Sequence, residues 1–291
     1  MEERDDKVLD NYPAILRYIK QRAWRKTQRL ESRWRKENVL LKLSCEDGVY
    51  VFKRVSGDAA DSEILRMKLL RSYYPLLIPK IYAVEQDAYL MGHIDGRNFF
   101  ELRKDEKLPK ILRSSKILSD SWNRPCQEFQ DISSNVRKSF QRYRKKAAVY
   151  FSEEELRIDD FAGFSRVPCL PSHNDLNSAN LLYDGEIKLI DASEEGYEDI
   201  ARDIGRYVAS VFFNEYDYFG NDKQFSLELA EAFLSSFSQD ILLRAKYFIG
   251  ESFLSFINFP TYSTPKQVLK DLAISTLEKD KEIIRCLEEA L

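Results

Sequence analysis

The sequence predicts an α+β protein whose strands gather in the first third of the chain and whose remainder is mainly helical. Three observations carry this. Short runs rich in Val, Leu, Tyr and Phe, separated by turn signals, occupy residues 25–55 and 79–92. Apolar residues recur at three- and four-residue steps before those strands and through most of the chain after them. One further pair of strand-like runs, flanking the sequence YDGE, interrupts the helical part and follows a cluster of polar side chains.

From the N-terminus, residues 5–23 read as an amphipathic helix through Val8, Leu9, Tyr12, Ile15, Leu16 and Ile19, started or broken at Pro13. The runs RKTQRLES, ENVLLKLS and GVYVFKRV predict three antiparallel strands, with a hairpin at Glu46–Gly48. In the third, alternation puts Val51 and Lys53 on one face and Tyr50, Phe52 and Arg54 on the other. Asp58 or Asp61 caps a helix reaching about Tyr73, with Glu63 in its first turn and Ile64, Leu65, Leu69 and Leu70 as its core stripe. Residues 79–92 give two strands joined at Glu85–Asp87, and a short helix is expected at Asn98–Leu102. Residues 108–158 read as helical throughout, with Ile132, Val136, Phe140, Tyr143 and Ala147 as an apolar stripe among many Lys and Arg. Four helices are expected after the YDGE hairpin, near 199–214, 223–238, 240–257 and 265–290.

At 291 residues the chain can hold two lobes around a cleft, and 44% hydrophobic with 32% charged residues describes an ordinary globular protein. No run approaches the roughly 18–20 apolar residues that cross a bilayer. The opening MEERDDKVLD lacks the apolar core of a secretory signal. Cys45, Cys126, Cys169 and Cys286 are scattered, which argues against a zinc site or a disulfide framework and fits a reducing cytoplasm. Residues 1–55 carry about +5 and residues 181–291 about −10, a basic front and an acidic back that would suit a polyphosphate and a cationic molecule. The basic, aromatic-flecked helix near residue 140 reads as a solvated face in preference to a nucleic-acid surface.

Pro171–Gly205 is the most informative stretch: PSHNDLNSANLLYDGEIKLIDASEEGYEDIARDIG. Asp175 and Asn180 precede the hairpin and Asp191 ends it. A hairpin returns its outer ends to one place, so three oxygen-bearing side chains are expected to converge, and carboxylate and amide oxygens completed by phosphates and water are what Mg²⁺ prefers.

The pattern HNDLxxxNLL followed by IDxxxxGYxDxxxDIG resembles the catalytic segment of the kinase-like small-molecule phosphotransferases, the aminoglycoside phosphotransferase and choline/ethanolamine kinase superfamily. It looks most like the choline kinase branch. The resemblance implies a bilobal protein-kinase-like fold, with a small antiparallel-sheet N-lobe over residues 1–94 and a larger, mainly helical C-lobe over 95–291. It implies transfer of the γ-phosphoryl of ATP or GTP to a small-molecule hydroxyl. Asp175 would accept or orient the hydroxyl proton, and Asn180 and Asp191 would hold Mg²⁺. Lys53, paired with Glu63, would neutralise phosphate oxygens. His173 and Asp203 would brace the catalytic loop, and Met91, His93 and Ile94 would meet the adenine, His93 as an interlobe polar residue.

Two departures from the family pattern stand out. Where the family folds a glycine-rich turn over the phosphates, this chain has Ser32-Arg33-Trp34-Arg35-Lys36, so side-chain cations would have to meet them. Where choline kinase-like sequences place an aromatic residue and then Glu after the metal Asp, this chain has Ala192 and Ser193. Acidic and aromatic residues return at Glu194, Glu195, Tyr197, Glu198 and Tyr216, which suits a cationic acceptor such as an amino alcohol or an aminoglycoside-like amine. A protein kinase is the second reading, opposed by the lack of DFG and APE signatures. A binding or regulatory protein with a weakened site is the third, kept open by the missing glycine turn.

Overall fold

The computed structural model describes residues 5–30, 38–55, 59–102, 104–122, 128–150, 162–193, 197–215, 222–257, 266–278 and 282–291. The chain divides into two compact units. One comprises Met1–Gly96 with Leu182–Gly196, the other Arg97–Leu181 with Tyr197–Leu291.

The first unit is built on a five-stranded antiparallel sheet. Strands β1 (Lys26–Leu30), β2 (Val39–Cys45), β3 (Gly48–Arg54), β4 (Ile81–Glu85) and β5 (Ala88–Gly92) lie in the order β1-β2-β3-β5-β4. Two hairpins set the register, so Lys53 lies opposite Leu40 on one side and Tyr89 on the other. Each face of the sheet has its own core. Helices α1 (Asp5–Leu9) and α2 (Pro13–Lys20) bring Val8, Leu9, Tyr12, Ile15 and Ile19 onto Leu41, Leu43, Tyr50, Phe52 and Leu90. Pro13 opens α2, where its missing N–H is no loss, and the Glu85 carboxylate accepts the free N–H groups of Ala14 and Ile15 at 2.8 and 3.0 Å. On the opposite face, Val51, Val55, Tyr89 and Met91 pack with Ile64 of α3 (Ala59–Tyr73). Period-two alternation therefore keeps Lys53 on the face of Val51, as expected, and that is the face Ile64 of α3 packs against.

Helix α3 turns differently from the expected stripe. Ile64, Met67 and Leu70 point inward, with Glu63 and Arg66 also buried, while Leu65 is 52% exposed. Glu63 falls in the second turn, because the helix begins at Ala59. The YDGE hairpin forms from β6 (Leu181–Tyr183) and β7 (Ile187–Leu189), turning at Gly185 with φ +104°, a conformation that glycine adopts without penalty. The hairpin is tied down by the Leu189 N–H donating to Leu77 O at 2.7 Å and Lys188 Nζ donating to Leu76 O at 2.6 Å.

The second unit is mainly helical. Its α-helices among the described residues are α4 (Lys104–Trp122), α5 (Ser133–Ala147), α6 (Ala201–Ser210), α7 (Lys223–Leu234), α8 (Gln239–Phe256), α9 (Lys266–Leu277) and α10 (Ile283–Ala290). Helix α8 is its centre, packing on α5, α6 and α9. Val136, Phe140 and Ala147 bury the apolar stripe of α5, and the Phe140 ring meets Tyr247 at 5.8 Å.

The expectation of helix throughout 108–158 needs correction. Phe129–Gln130 pairs antiparallel with Val167–Pro168, and Asp131 then accepts from the Ser133 N–H and Oγ at 2.9 and 2.6 Å to start α5 afresh. Residues 123–127 and 151–161 lie outside the described residues. The helix expected at 265–290 is also divided, because Glu278 is not helical and its carbonyl accepts from Lys246 Nζ. No helix among the described residues is long and apolar enough to cross a membrane.

Candidate active site

In the first unit, three side chains gather about one buried cation, Lys53. Lys53 Nζ lies 2.7 Å from Glu63 Oε1 and 2.6 Å from Asp191 Oδ1, and the Tyr89 hydroxyl donates to Glu63 Oε1 at 2.7 Å. The lysine is 2% exposed. Burial alone would strip its charge, but the Asp191 and Glu63 carboxylates outweigh that and raise its pKa above the usual lysine value. Burial, with the Glu63 charge, likewise pushes the Tyr89 phenol well above its usual range, so it stays a donor. Asp191 sits just past β7 with φ +60°, a left-handed conformation uncommon for a residue bearing Cβ and often found where function holds the backbone. The Asp191 side chain is 42% exposed, so its carboxylate reaches solvent while one oxygen engages Lys53.

The adenine candidates lie on β5 and just after it. Met91 is buried against Val51, and the His93 N–H donates to Val49 O at 3.1 Å. Burial and the nearby Lys42 charge lower the His93 imidazole below the usual histidine value, so it is neutral at neutral pH. Ile94 is half-buried.

In the second unit, the HNDLNSAN loop is held from inside. Asp203, fully buried in the first turn of α6, accepts the backbone N–H groups of His173 and Asn174, each at 2.6 Å. Two charge-assisted bonds fix the chain immediately before Asp175. Asn174 itself has φ +63°. The loop then closes on its own amides: Asn177 Oδ1 accepts the Ala179 N–H at 2.9 Å, and Asn177 Nδ2 donates to Asp175 O at 3.0 Å. Asn180 Nδ2 donates to Asp175 O at 2.8 Å and to Asp175 Oδ2 at 3.1 Å, bonds that use the amide nitrogen and leave the side-chain oxygen as an acceptor. Asp199 is paired with Arg244 of α8 and accepts the Ala201 N–H at 3.0 Å.

The structure thus brings together Lys53, Glu63 and Asp191 in one unit, and His173, Asp175, Asn180 and Asp203 in the other. Of the acceptor candidates, Glu194, Glu195 and Tyr216 lie outside the described residues, as does the Ser32–Lys36 turn. Tyr197 and Glu198 form a two-residue strand against Leu170–Pro171. Sequence reasoning missed Tyr89 and Arg206. Tyr89 could have been found by counting the register of the β3–β5 pair, whereas the contact of Arg206 with Asp175 depends on how α6 meets the loop.

The donor set suits a small hard cation. Among the described residues no three His, Cys, Asp or Glu side chains gather for a metal. Mg²⁺ takes one or two protein oxygens and fills its shell with phosphate and water.

No protein-family model and no curated protein sequence matches the chain. Solved structures do match it over nearly its whole length. A provisional fructosamine-3-kinase of Thermobifida fusca aligns at TM-score 0.58 and 12% identity, covering 96% of this chain and 99% of the other. An ethanolamine kinase of Plasmodium vivax aligns at 0.53 and 15%, covering 100% and 93%. A choline kinase of Cryptosporidium parvum aligns at 0.51 and 12%, covering 96% and 92%. The chain therefore has the protein-kinase-like fold shared by these small-molecule kinases, with its antiparallel sheet in one unit and its mainly helical remainder in the other.

Proposed function

We propose that this protein transfers the γ-phosphoryl group of ATP or GTP to a hydroxyl of a small molecule, with Mg²⁺ as the divalent ion. The observation that carries the reading is the buried Lys53–Glu63–Asp191 set. A cation this deeply buried is expensive to desolvate, and an apolar residue would fill the same space at less cost. A charged cradle for polyphosphate gives it a purpose.

Phosphoryl transfer needs positioning and charge neutralisation more than covalent work from the protein. Lys53, oriented by Glu63, would meet phosphate oxygens. Asp191 and the spare carbonyl oxygen of Asn180 would hold Mg²⁺, which when bound neutralises the charge shared by the phosphate oxygens. Asp175 would orient the acceptor hydroxyl and take its proton. Asp203 would keep the loop in register through the His173 and Asn174 amides, and the backbone of Met91, His93 and Ile94 would meet the base.

Amine-bearing alcohols are the leading acceptor class: an amino alcohol such as choline or ethanolamine, or an aminoglycoside-like amine. Support comes from the acidic stretch 181–291, from the candidates Glu194, Glu195, Tyr197, Glu198 and Tyr216, and from the ethanolamine and choline kinases that share the fold. A glucosamine kinase in complex with glucosamine, ADP and inorganic phosphate, at TM-score 0.55 and 11% identity to this chain, extends that class to amino sugars.

A thermal-shift measurement tests the reading. ATP or GTP together with Mg²⁺ should raise the midpoint by about 5 °C at saturation, and either component alone by much less. Stabilisation that ignores Mg²⁺ would mark a binding scaffold instead of an enzyme, and none at all would overturn the reading. ADP formation over amino alcohols, aminoglycosides and sugars would then identify the acceptor.

A further inference from the structure

We infer that Arg206 is a positioning residue for Asp175, an inference that rests on the phosphotransfer reading of Asp175. Helix α6 addresses the HNDLNSAN loop twice. Asp203 takes its backbone amides, and Arg206, one turn later on the same face, faces its carboxylate, with Arg206 Nε 3.5 Å from Asp175 Oδ1.

The guanidinium is itself clamped. Its Nη1 donates to Ser255 Oγ at 2.8 Å, its Cζ lies 4.3 Å from the Phe256 ring centre, and Phe256 stacks on Phe213 at 4.4 Å and 10°. Both contacts come from the end of α8, so the fork cannot swing freely. With Asn180 Nδ2 on Oδ2 and Arg206 facing Oδ1, the Asp175 carboxylate cannot rotate without leaving a partner. A separation of 3.5 Å is too long for Arg206 to claim the Oδ1 lone pair as a full hydrogen bond. Oδ1 is left to receive a proton from the acceptor hydroxyl, beside a fixed positive charge. Lysine cannot reproduce this, because only the planar fork bonds Ser255, stacks on Phe256 and faces Asp175 together.

The test uses the full-length protein with Arg206→Met, Arg206→Lys and Asp175→Asn, measuring ADP formation from MgATP with water and with a panel of amino alcohols, aminoglycosides and sugars as acceptors. Arg206→Met should lower kcat about tenfold or more while KM for MgATP stays within about twofold. Arg206→Lys should recover part of the loss. Should Arg206→Met unfold, Ser255→Ala decides: a smaller fall in kcat of the same kind supports the inference, and an unchanged kcat overturns it. Wild-type kcat in Arg206→Met, or a loss confined to KM, also overturns it. If Asp175→Asn is inactive while Arg206→Met is fully active, the failure is that of Arg206 alone. If wild-type protein forms no ADP, or Asp175→Asn forms as much, the phosphotransfer reading itself has failed.

Discussion

Lys53 shows how one residue can be legible in a sequence while its surroundings are not. Strand alternation assigns its face, and the family resemblance implies Glu63 as its partner. That a phenol from the neighbouring strand would complete the set follows only from the register Lys53↔Tyr89. The energetics follow from burial. Lys53→Met would leave the Glu63 carboxylate, 8% exposed, without its counter-charge, and should destabilise the fold by about 3 kcal/mol. Adding Glu63→Gln should recover much of that loss, since the buried charge disappears with its partner. Urea unfolding of the two variants checks this, and a double variant less stable than Lys53→Met alone would contradict the pairing.

At the level of elements, the packing of α6 on α8 fixes where Asp203 and Arg206 meet the loop, and Gly205 permits it. A Cβ at Gly205 would lie 2.5 Å from Phe248 Cβ and 2.7 Å from its carbonyl carbon, so the two helices touch backbone to side-chain base. Gly205→Ala should therefore destabilise by about 3 kcal/mol through overpacking. An unhindered helical glycine would instead gain about 1 kcal/mol from the same change, so the sign of the shift in urea midpoint decides. The elements misread from sequence share one cause. Leu65 fits the helical period as well as Met67 does, and only the sheet beneath selects the inward face. The break at 128–132 is imposed by pairing of Phe129–Gln130 with a segment some 40 residues away, which no local period encodes.

For the molecule as a whole, hairpins and periodicity were enough to read an antiparallel sheet followed by helices, and one motif of fixed spacing pointed to the fold that solved small-molecule kinases share at 12–15% identity. The motif is legible because its parts lie close in sequence: a loop carboxylate, an amide five residues on and a second carboxylate past a hairpin are short-range relations. The acceptor of the proposed reaction would not be written that way, since its site would depend on side chains that tertiary packing gathers from distant segments. The account stands most directly on turnover by Asp175→Asn. ADP formation from MgATP with the best acceptor of the panel should fall by about 10²–10⁴-fold, with the thermal midpoint and MgATP affinity close to wild type. Turnover equal to wild type would contradict it.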